Sequence, residues 1–463
     1  MLNKKMIAQL TEIVGTENIL TSKISLASYG YDASPYRGKP DVVVFPQTTE
    51  MVIGLVNFAR QNKIPLMPRG AGSCLSGGAV AADGSIVISL TKMNKVLSVD
   101  KLSRVAVVEP GITNKQVQLE VEPYGLIFAP DPASQSISTI GGNIAENAGG
   151  IRGVKYGSTK DHVLGLEVVL PSGEVVKTGS INSQIGPEVD MTYYFCGSEG
   201  TLGIVTKAWL ALSPLNPVVK TMTATFNGLQ DAGSCVAEII AKGVVPTTME
   251  IMDNTVIKAV DDYLKLGFPR SAEALLLVEV DGFASDVSIQ TESILKAFAN
   301  NNAISHKIAN NEQERQDLWK ARRSVNGALG KLKPANIVHD IVVPRDRLAI
   351  MLEKVAQMGK KYGIIIGQVA HAGDGNLHPT LYYDHRDETE THKVEEACDE
   401  IIKETIAEGG TISGEHGIGI EKLKYMPLAF SKASLQYMQD IKNAFDPENL
   451  CNPGKLLPQI DRD

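Results

Sequence analysis

Two histidines on either side of a turn signal could bind one metal ion. Residues 371–378 read HAGDGNLH, with Asp374-Gly375 at the centre and β-like runs on both sides. An Asp-Gly pair in that setting predicts a two-residue hairpin turn, because glycine supplies the positive φ that tight turns need. Counted outward from the turn, His371 lies directly opposite His378, where paired Cβ atoms are roughly 4.5–5.5 Å apart. Two imidazoles at that separation can share a divalent cation.

A second segment adds a carboxylate and a third imidazole. Residues 413–417 read SGEHG, so Glu415 and His416 lie in a glycine-rich turn. Imidazole and carboxylate ligands suit a divalent cation with an open coordination position. A histidine pair alone more often consists of two histidines that happen to end adjacent strands. The pair, the turn and the Glu-His dipeptide together favour a metal site.

Glycine is concentrated in three loops of the first half of the chain, at residues 68–78, 131–150 and 197–203. Successive backbone N–H groups in such loops form concave anion sites, and the missing Cβ atoms let a pyrophosphate approach closely. One such loop is weak evidence, since most are only turns. Three of them in one region favour a bound dinucleotide.

Motif patterns argue against two common nucleotide sites. No G-x-G-x-x-G opens a helix after a strand, which argues against a Rossmann-type NAD site. No G-x-x-x-x-G-K-[ST] is present either, which argues against a P-loop NTPase. These absences leave one alternative open, a site in which several loops together hold a dinucleotide.

Size and charge limit the class of protein further. The 463 residues exceed what one hydrophobic core holds and predict about two or three domains. The net charge of −8 at pH 7, with no basic run interleaved with aromatic residues, argues against nucleic-acid binding.

Cysteine usage and hydropathy predict a cytoplasmic protein. The five cysteines are dispersed and form no CxxC, which argues against an iron–sulfur cluster or an all-cysteine zinc site and fits a reducing compartment. The first residues lack the apolar core of a signal peptide. No run approaches the ~20 apolar residues of a membrane span.

Changes of pattern along the chain predict its domains. Residues 1–36 predict a helical segment, and residues 37–215 are rich in short β runs between the glycine loops. Pro214 and Pro217 end that block. In residues 216–463 strands and helices alternate.

The motifs together resemble FAD-linked oxidoreductases of the vanillyl-alcohol-oxidase-like flavin fold, and within them the D-lactate dehydrogenase and glycolate oxidase large-subunit branch. The resemblance covers nearly the whole chain. It implies an α+β fold: a two-subdomain FAD-binding domain at 37–215, then a ferredoxin-like α+β substrate cap at 216–463 whose C-terminal segment returns to the flavin. The segments that carry it are residues 68–78, 131–150, 197–203, 371–378, 414–419 and 452–455.

The resemblance also implies non-covalent FAD, because no clear tethering histidine or cysteine is evident. It places the pyrophosphate against the first glycine loop, the flavin along the second and the adenosine beside the third, with the C-terminal segment returning to the isoalloxazine. The residues implied are Pro68, Arg69, Gly70, Ala71, Gly72, Ser73, Leu75, Ser76, Gly77, Pro130, Asp131, Ile140, Gly141, Gly142, Asn143, Ala145, Gly149, Glu199, Gly200, Gly203, Ile204 and Asn452.

In the cap, the resemblance implies that His371, His378 and Glu415 bind one divalent ion, which could be zinc, manganese, iron or cobalt. It assigns His416 as the catalytic base and Arg322 as the clamp for the substrate carboxylate. Arg322 has an arginine neighbour and lies in a charge-rich predicted helix over residues 312–327, so taken alone it could be one more solvated charge.

The substrate implied is a small monocarboxylate. Relatives that act on dicarboxylic 2-hydroxy acids have a lysine before the aspartate that matches Asp340, and this chain has His339 there. The resemblance thus implies an FAD- and metal-dependent D-2-hydroxy acid dehydrogenase, with D-lactate as the first candidate. Electrons would pass to a protein partner such as an electron-transfer flavoprotein or an iron–sulfur subunit. The alternatives are a glycolate oxidase catalytic subunit and a non-catalytic flavin subunit that relays electrons.

Overall fold

The computed structural model describes residues 2–180 and 190–459. The chain forms two compact units. Unit 1 comprises residues 1–149, 158–215 and 415–463, and unit 2 comprises residues 150–157 and 216–414.

The described helices and strands follow one another as a mixture of both types. The helices are α1 (Lys4–Val14), α2 (Lys23–Tyr29), α3 (Thr49–Asn62), α4 (Asn114–Val121), α5 (Ile140–Glu146), α6 (Gly153–Tyr156), α7 (Thr192–Phe195), α8 (Leu229–Ala241), α9 (Asn254–Leu264), α10 (Ala284–Asn300), α11 (Glu312–Arg323), α12 (Val325–Leu329), α13 (Leu348–Tyr362), α14 (Glu388–Ala407), α15 (Met426–Ala429) and α16 (Lys432–Phe445). The strands are β1 (Ile19–Leu20), β2 (Val42–Val44), β3 (Leu66–Arg69), β4 (Ile86–Ser89), β5 (Val96–Asp100), β6 (Val105–Val108), β7 (Leu126–Ile127), β8 (Val163–Val169), β9 (Val175–Lys177), β10 (Ile204–Ala211), β11 (Ser213–Pro214), β12 (Val218–Phe226), β13 (Thr248–Asp253), β14 (Ala274–Gly282), β15 (Ser305–Ile308), β16 (Ala335–Val338), β17 (Ile341–Val342), β18 (Ile365–His371) and β19 (Asn376–Tyr383).

The first sheet of unit 1 has the order β1-β2-β4-β3, with β2 and β3 parallel to β4. Its central strands are continuous apolar runs, as expected of parallel strands buried on both faces. Helix α3 packs on this core through Val52, Val56 and Ala59, which recur at helical spacing. Thr48 caps the helix by accepting the N–H of Met51 at 3.3 Å.

The second sheet of unit 1 has the order β5-β6-β10-β8-β9 and is antiparallel. The glycine loops lie at the ends of these elements. The first follows β3, the second surrounds α5, and the third comes directly before β10. A strand or a helix therefore holds each loop.

Unit 2 is built on one antiparallel sheet with the order β15-β12-β14-β13-β18-β19-β16, and β17 also pairs with β19. Strands β12, β13, β14 and β15, with α8 and α10, have the order and connections of a ferredoxin-like unit. The predicted α+β class is confirmed. The hairpin β18–β19 and the strands beside it extend this sheet.

The division into units differs from the predicted domain boundaries in three places. The N-terminal residues belong to unit 1, because Leu10 and Val14 of α1 are part of its core. Residues 415–463 also belong to unit 1. There the N–H of Leu66 donates to Leu450 O at 2.8 Å, and the N–H of Asn452 donates to Leu66 O at 2.7 Å. Residues 150–157, by contrast, belong to unit 2.

The predicted helix over residues 312–327 is two helices, because α11 ends at Arg323 and α12 begins at Val325. The intervening Ser324 donates its backbone N–H to both Lys320 O and Ala321 O, and so closes the first helix. None of the described helices combines the length and the apolar character needed to cross a bilayer.

Candidate active site

The hairpin that carries the two histidines has a four-residue loop, so the predicted register was wrong. His371 pairs with Asn376, and Val369 pairs with His378. The shift is two residues, and a strand returns to the same face every second residue. The two histidines therefore still share one face as diagonal neighbours, with ring centroids 5.0 Å apart and ring planes at 82°.

The loop of this hairpin is fixed by close backbone packing. Gly375 has φ +77°, and a Cβ there would collide with the carbonyl oxygen of Val343. The N–H of Val343 donates to Gly375 O at 3.0 Å, and the N–H of Asp374 donates to His371 O at 3.3 Å. The turn chemistry that the sequence predicted is present, but it closes a longer loop.

A buried carboxylate, Glu250, joins His371 to Arg322. Glu250 is opposite His371 in the pairing of β13 with β18, and its side chain is 0% exposed. Its Oε1 lies 2.6 Å from His371 Nδ1, and its Oε2 accepts from Arg322 Nε at 2.6 Å. Burial acts to raise the pKa of Glu250, but the charge of Arg322 and the contact with His371 outweigh it, so that pKa lies below its usual value. The carboxylate is therefore ionised.

Arg322 and Arg323 have different environments. The Arg322 side chain is 13% exposed, and among the described residues only Glu250 receives a hydrogen bond from it, through Nε. Its two terminal nitrogens remain available for a planar anion. Arg323 lies with its guanidinium 5.8 Å from the ring centroid of Trp319. The idea that Arg322 is only a solvated charge does not fit this burial.

Asp340 lies beside His378 and accepts hydrogen bonds from the last residues of unit 2. It is fully buried and accepts from Ser413 Oγ at 2.9 Å and from the N–H of Gly414 at 2.8 Å. The Nδ1 atom of His378 lies 3.9 Å from Asp340 Oδ1. The neighbouring His339 is also buried. The predicted third metal ligand Glu415 and the predicted base His416 come next in the chain after Gly414, and both belong to unit 1.

The unit 2 cluster fits a divalent cation. A carboxylate can only accept, so His371 donates from Nδ1, and the neutral ring then has its lone pair on Nε2, which is the arrangement that metal-binding histidines adopt. Asn376 pairs with His371 across the hairpin, and its buried Oδ1 has no hydrogen-bond partner among the described residues. The site thus offers two histidines and an unsatisfied buried acceptor.

In unit 1 the three glycine loops meet one another. A Cβ on Gly70 would collide with the Thr139 side chain, and a Cβ on Gly200 would lie 2.8 Å from Pro68. The N–H of Glu199 donates to Ala145 O at 2.8 Å. The absence of Cβ atoms allows these backbones to approach one another closely.

The C-terminal segment joins the same region. Asn452, with φ +43°, donates through Nδ2 to Gly78 O at 3.0 Å and to Glu199 O at 2.6 Å. Ser76 donates through Oγ to His416 O at 2.9 Å. His416 is thereby fixed beside the first glycine loop.

Comparison with known proteins identifies the family. Residues 40–179 match the family model described as FAD binding domain, and residues 215–456 match FAD linked oxidases, C-terminal domain. The chain belongs to the FAD-linked oxidases. Among its relatives, the glycolate oxidase subunit GlcD of Bacillus subtilis is 41% identical over 458 residues, which are 99% of this chain and 97% of the relative. A D-lactate dehydrogenase of Anaerostipes hadrus is 33% identical over 474 residues, 98% of each.

Two solved structures share this fold. P-cresol methylhydroxylase with substrate bound has a TM-score of 0.82 at 19% identity, over 99% of this chain and 97% of its own. Alkyldihydroxyacetonephosphate synthase has a TM-score of 0.79 at 20% identity, over 98% and 86%. At these identities the likeness shows the fold alone.

The residues predicted to contact FAD lie in the loop region of this FAD-linked oxidase. Pro68 and Arg69 end β3, and the loop after it contains Gly70, Ala71, Gly72, Ser73, Leu75, Ser76 and Gly77. Pro130 and Asp131 precede α5, Ile140, Gly141, Gly142, Asn143 and Ala145 lie in α5, and Gly149 follows it. Glu199, Gly200 and Gly203 lie before β10, which starts at Ile204.

Buried polar atoms in this region fit a bound cofactor. Ser138 Oγ, Asn143 Nδ2 and Asn452 Oδ1 are buried and make no hydrogen bond to the described part of the chain. Unpaired buried polar atoms are rare in native proteins and call for a partner. A dinucleotide supplies such acceptors and donors along its length.

Several of the residues predicted to contact FAD also have close contacts within the protein. Arg69 is buried and donates to Ala79 O at 2.8 Å, and a Cβ on Gly72 would collide with its guanidinium. Ile140 and Ile204 belong to hydrophobic cores. A Cβ on Gly141 would lie 2.7 Å from the Pro110 side chain. These contacts help to fix the shape of the loops.

Sequence reasoning missed two functional candidates, Glu250 and Glu146. Glu250 is the single acid within the apolar run Met249–Met252, a pattern that signals a buried and paired carboxylate. Burial, followed by the charge of Glu199, holds the pKa of Glu146 well above its usual value. A Cβ on Gly417, next to His416, would collide with Glu146 and lie 2.8 Å from Glu199. No pattern in the sequence brings these carboxylates together.

Proposed function

We propose that this chain is an FAD- and divalent-metal-dependent dehydrogenase that oxidises a small 2-hydroxy monocarboxylate to the 2-oxo acid. The observation that carries the proposal is the buried contact series Arg322–Glu250–His371, with His378 on the same face. An arginine and two histidines, to which we assign the substrate carboxylate and the metal ion, thus lie in one unit, and oxidation of a 2-hydroxy acid uses both kinds of group.

Each residue has a role that the chemistry requires. Arg322 binds the substrate carboxylate with its two terminal nitrogens, because a guanidinium fork matches a carboxylate in two hydrogen bonds. His371 and His378, with Glu415 as the predicted third ligand, hold the divalent ion, which when bound polarises the substrate hydroxyl as a Lewis acid. His416 takes the hydroxyl proton as a general base. The roles of Glu415 and His416 remain predictions.

FAD when bound supplies the hydride acceptor, which no protein side chain can provide. The residues that hold it are those of the three glycine loops and Asn452. We expect non-covalent binding, so that acid precipitation releases FAD into the supernatant. Yellow colour that stays in the pellet would contradict this.

D-lactate and glycolate are the two candidate substrates. The buried His339 takes the place of the lysine found in relatives that act on dicarboxylic acids, which supports a monocarboxylate. D-lactate is the substrate that the sequence resemblance favours. Glycolate is the second candidate, because the relative named as a glycolate oxidase subunit is the more similar of the two described.

Anaerobic titration of the FAD-containing protein tests the activity. D-lactate, L-lactate and glycolate are added separately, and the visible flavin absorbance is recorded. Bleaching by D-lactate or glycolate, with L-lactate as the stereochemical control, identifies the substrate. Absence of bleaching with all three would overturn the proposal and support an electron-relay subunit.

Electrons must then leave the chain, and we propose a protein acceptor. The five cysteines form no cluster motif, so an iron–sulfur centre would have to be on another subunit. An electron-transfer flavoprotein or an iron–sulfur subunit are the two candidates. Purification of the native protein from its source, followed by mass spectrometry and iron analysis, distinguishes them.

A further inference from the structure

Glu250 uses its two oxygens on two different functional groups. One oxygen contacts His371 Nδ1 and the other accepts from Arg322 Nε, both at 2.6 Å. The carboxylate is completely buried in the middle of strand β13, between strands β14 and β18. A buried charge in a sheet is costly unless both oxygens have partners, and here each oxygen has one.

The two contacts have separate chemical consequences. The contact to His371 fixes the ring orientation and, in the neutral ring that a metal ion requires, keeps the proton on Nδ1 and the lone pair on Nε2. The contact to Arg322 occupies Nε and holds the guanidinium plane, so that the two terminal nitrogens keep their fork. One carboxylate therefore orients both a metal-binding group and an anion-binding group.

A neighbouring pair shows what a purely structural contact of this kind looks like. Glu279 accepts from Arg315 Nε at 2.9 Å and from Trp319 Nε1 at 2.7 Å. Arg315 and Arg322 are seven residues apart on α11 and so share a face. Glu250 pairs with Leu277 across the sheet, two residues from Glu279, so both glutamates also share a face. Helix–sheet packing explains an Arg–Glu pair, but it does not explain the contact to His371.

We propose that Glu250 is a positioning residue that couples metal binding by His371 to substrate binding by Arg322. The inference rests on the proposed function, since it takes both groups in the roles given above. It predicts that a change at Glu250 weakens metal binding although Glu250 itself is no ligand. Because the same change alters the group that accepts from Arg322 Nε and holds its guanidinium plane, it also weakens binding of the substrate carboxylate.

The test measures Mn²⁺ binding to the metal-depleted, FAD-containing protein. The electron paramagnetic resonance signal of free Mn²⁺ reports how much of the ion remains unbound. In Glu250→Gln the amide donates to His371 Nδ1 and moves the ring proton to Nε2, so the nitrogen needed by the ion is blocked. We expect Mn²⁺ affinity to fall by about 10–100-fold, the usual effect of losing a partner of a metal-binding histidine. Glu279→Gln, the matched control, should lose stability and keep its Mn²⁺ affinity.

A measurement on the wild type protects the test against a variant that does not fold. Nitrogen-15 NMR of histidine-labelled protein before metal is added should show His371, assigned by its loss in His371→Gln, with the proton on Nδ1. A proton on Nε2, or wild-type Mn²⁺ affinity in Glu250→Gln, overturns the inference, as does an equal loss in Glu279→Gln. Failure of the proposed function is separate, because the unaltered protein would then bind no Mn²⁺ at all.

Discussion

At the scale of single residues, the structure separates Arg322 from Arg323, which the sequence alone cannot rank. We expect Arg322→Lys to raise KM and to lower kcat/KM, because an ammonium cannot reproduce the two-pronged contact of a guanidinium. Loss of one charge-assisted hydrogen bond costs about 1.5–3 kcal/mol, which corresponds to about 10–150-fold in kcat/KM. Steady-state kinetics with the substrate identified by flavin bleaching measures it.

The control is the adjacent residue. Arg323 lies over the ring of Trp319, so Arg323→Lys should leave KM near the wild-type value. A wild-type Arg322→Lys together with a defective Arg323→Lys would show that the carboxylate clamp is one residue further along the helix.

Asp253 gives the protein a pH-dependent stability. Burial raises its pKa to about 7, although the N–H groups of Val256 and Gln368 donate to it. The folded protein therefore keeps a proton that the unfolded chain releases near a pKa of about 3.9. The stability due to that proton is complete below the unfolded pKa and declines as the pH rises through the folded pKa.

Asp253→Asn removes this titration. Its melting temperature should depend less on pH between about 4 and 7 than that of the wild type. The absolute melting temperature also falls, since an amide has one acceptor atom for two N–H donors, so the slope is the informative quantity. Circular dichroism melts at several pH values measure it, and parallel curves for the two proteins would refute the assignment.

At the scale of elements, the hairpin loop is the feature on which the proposed metal site depends. We expect Gly375→Ala to destabilise the protein and to weaken Mn²⁺ binding, because the new Cβ displaces the Val343 carbonyl and the histidines move with the turn. Gly363→Ala is the control, since Gly363 has a similar φ of +66° but open space around it. That control should cost only the backbone term of about 1–2 kcal/mol. Urea unfolding and Mn²⁺ titration of both variants provide the comparison, and equal losses would disprove the role of the loop.

The elements themselves could largely be predicted from the sequence, and their long-range pairing could not. Hydrophobic patterns and the Asp374-Gly375 turn signal placed the hairpin, because these are local properties. Its register depends on how many residues the loop closes, and that was two residues off. Glu250 and His371 are 121 positions apart, and only the pairing of β13 with β18 brings them together.

At the scale of the whole molecule, cofactor and metal should be removable independently. The predicted FAD residues are all in unit 1, whereas two of the three predicted metal ligands, His371 and His378, are in unit 2 and Glu415 is in unit 1. Chelation should abolish turnover and leave the flavin spectrum largely intact. His378→Ala should lose metal and turnover, whereas His416→Ala should keep the metal and lose about 10²–10⁴-fold in turnover.

Elemental analysis and activity assays on the same samples test whether turnover requires the metal. An active protein without metal would refute the metal-dependent mechanism and leave the two histidines with a structural or hydroxyl-binding role. The sequence alone could predict a dinucleotide cofactor, because each glycine loop is a local pattern. It could not predict the division into units, because that depends on contacts between the two ends of the chain.

Unit 1 is made of segments that are far apart in the sequence, and this affects how it can fold during translation. Strand β3 is made early, yet its partners Leu450 and Asn452 emerge almost four hundred positions later. Unit 2 is complete by Gly414, before the final part of unit 1 has been translated. Nascent unit 1 therefore lacks Leu450 and Cys451, which belong to its hydrophobic core, while residues 216–414 are synthesised. Such an unfinished intermediate is prone to aggregation, and slow translation of residues 216–414 should prolong its exposure to chaperones.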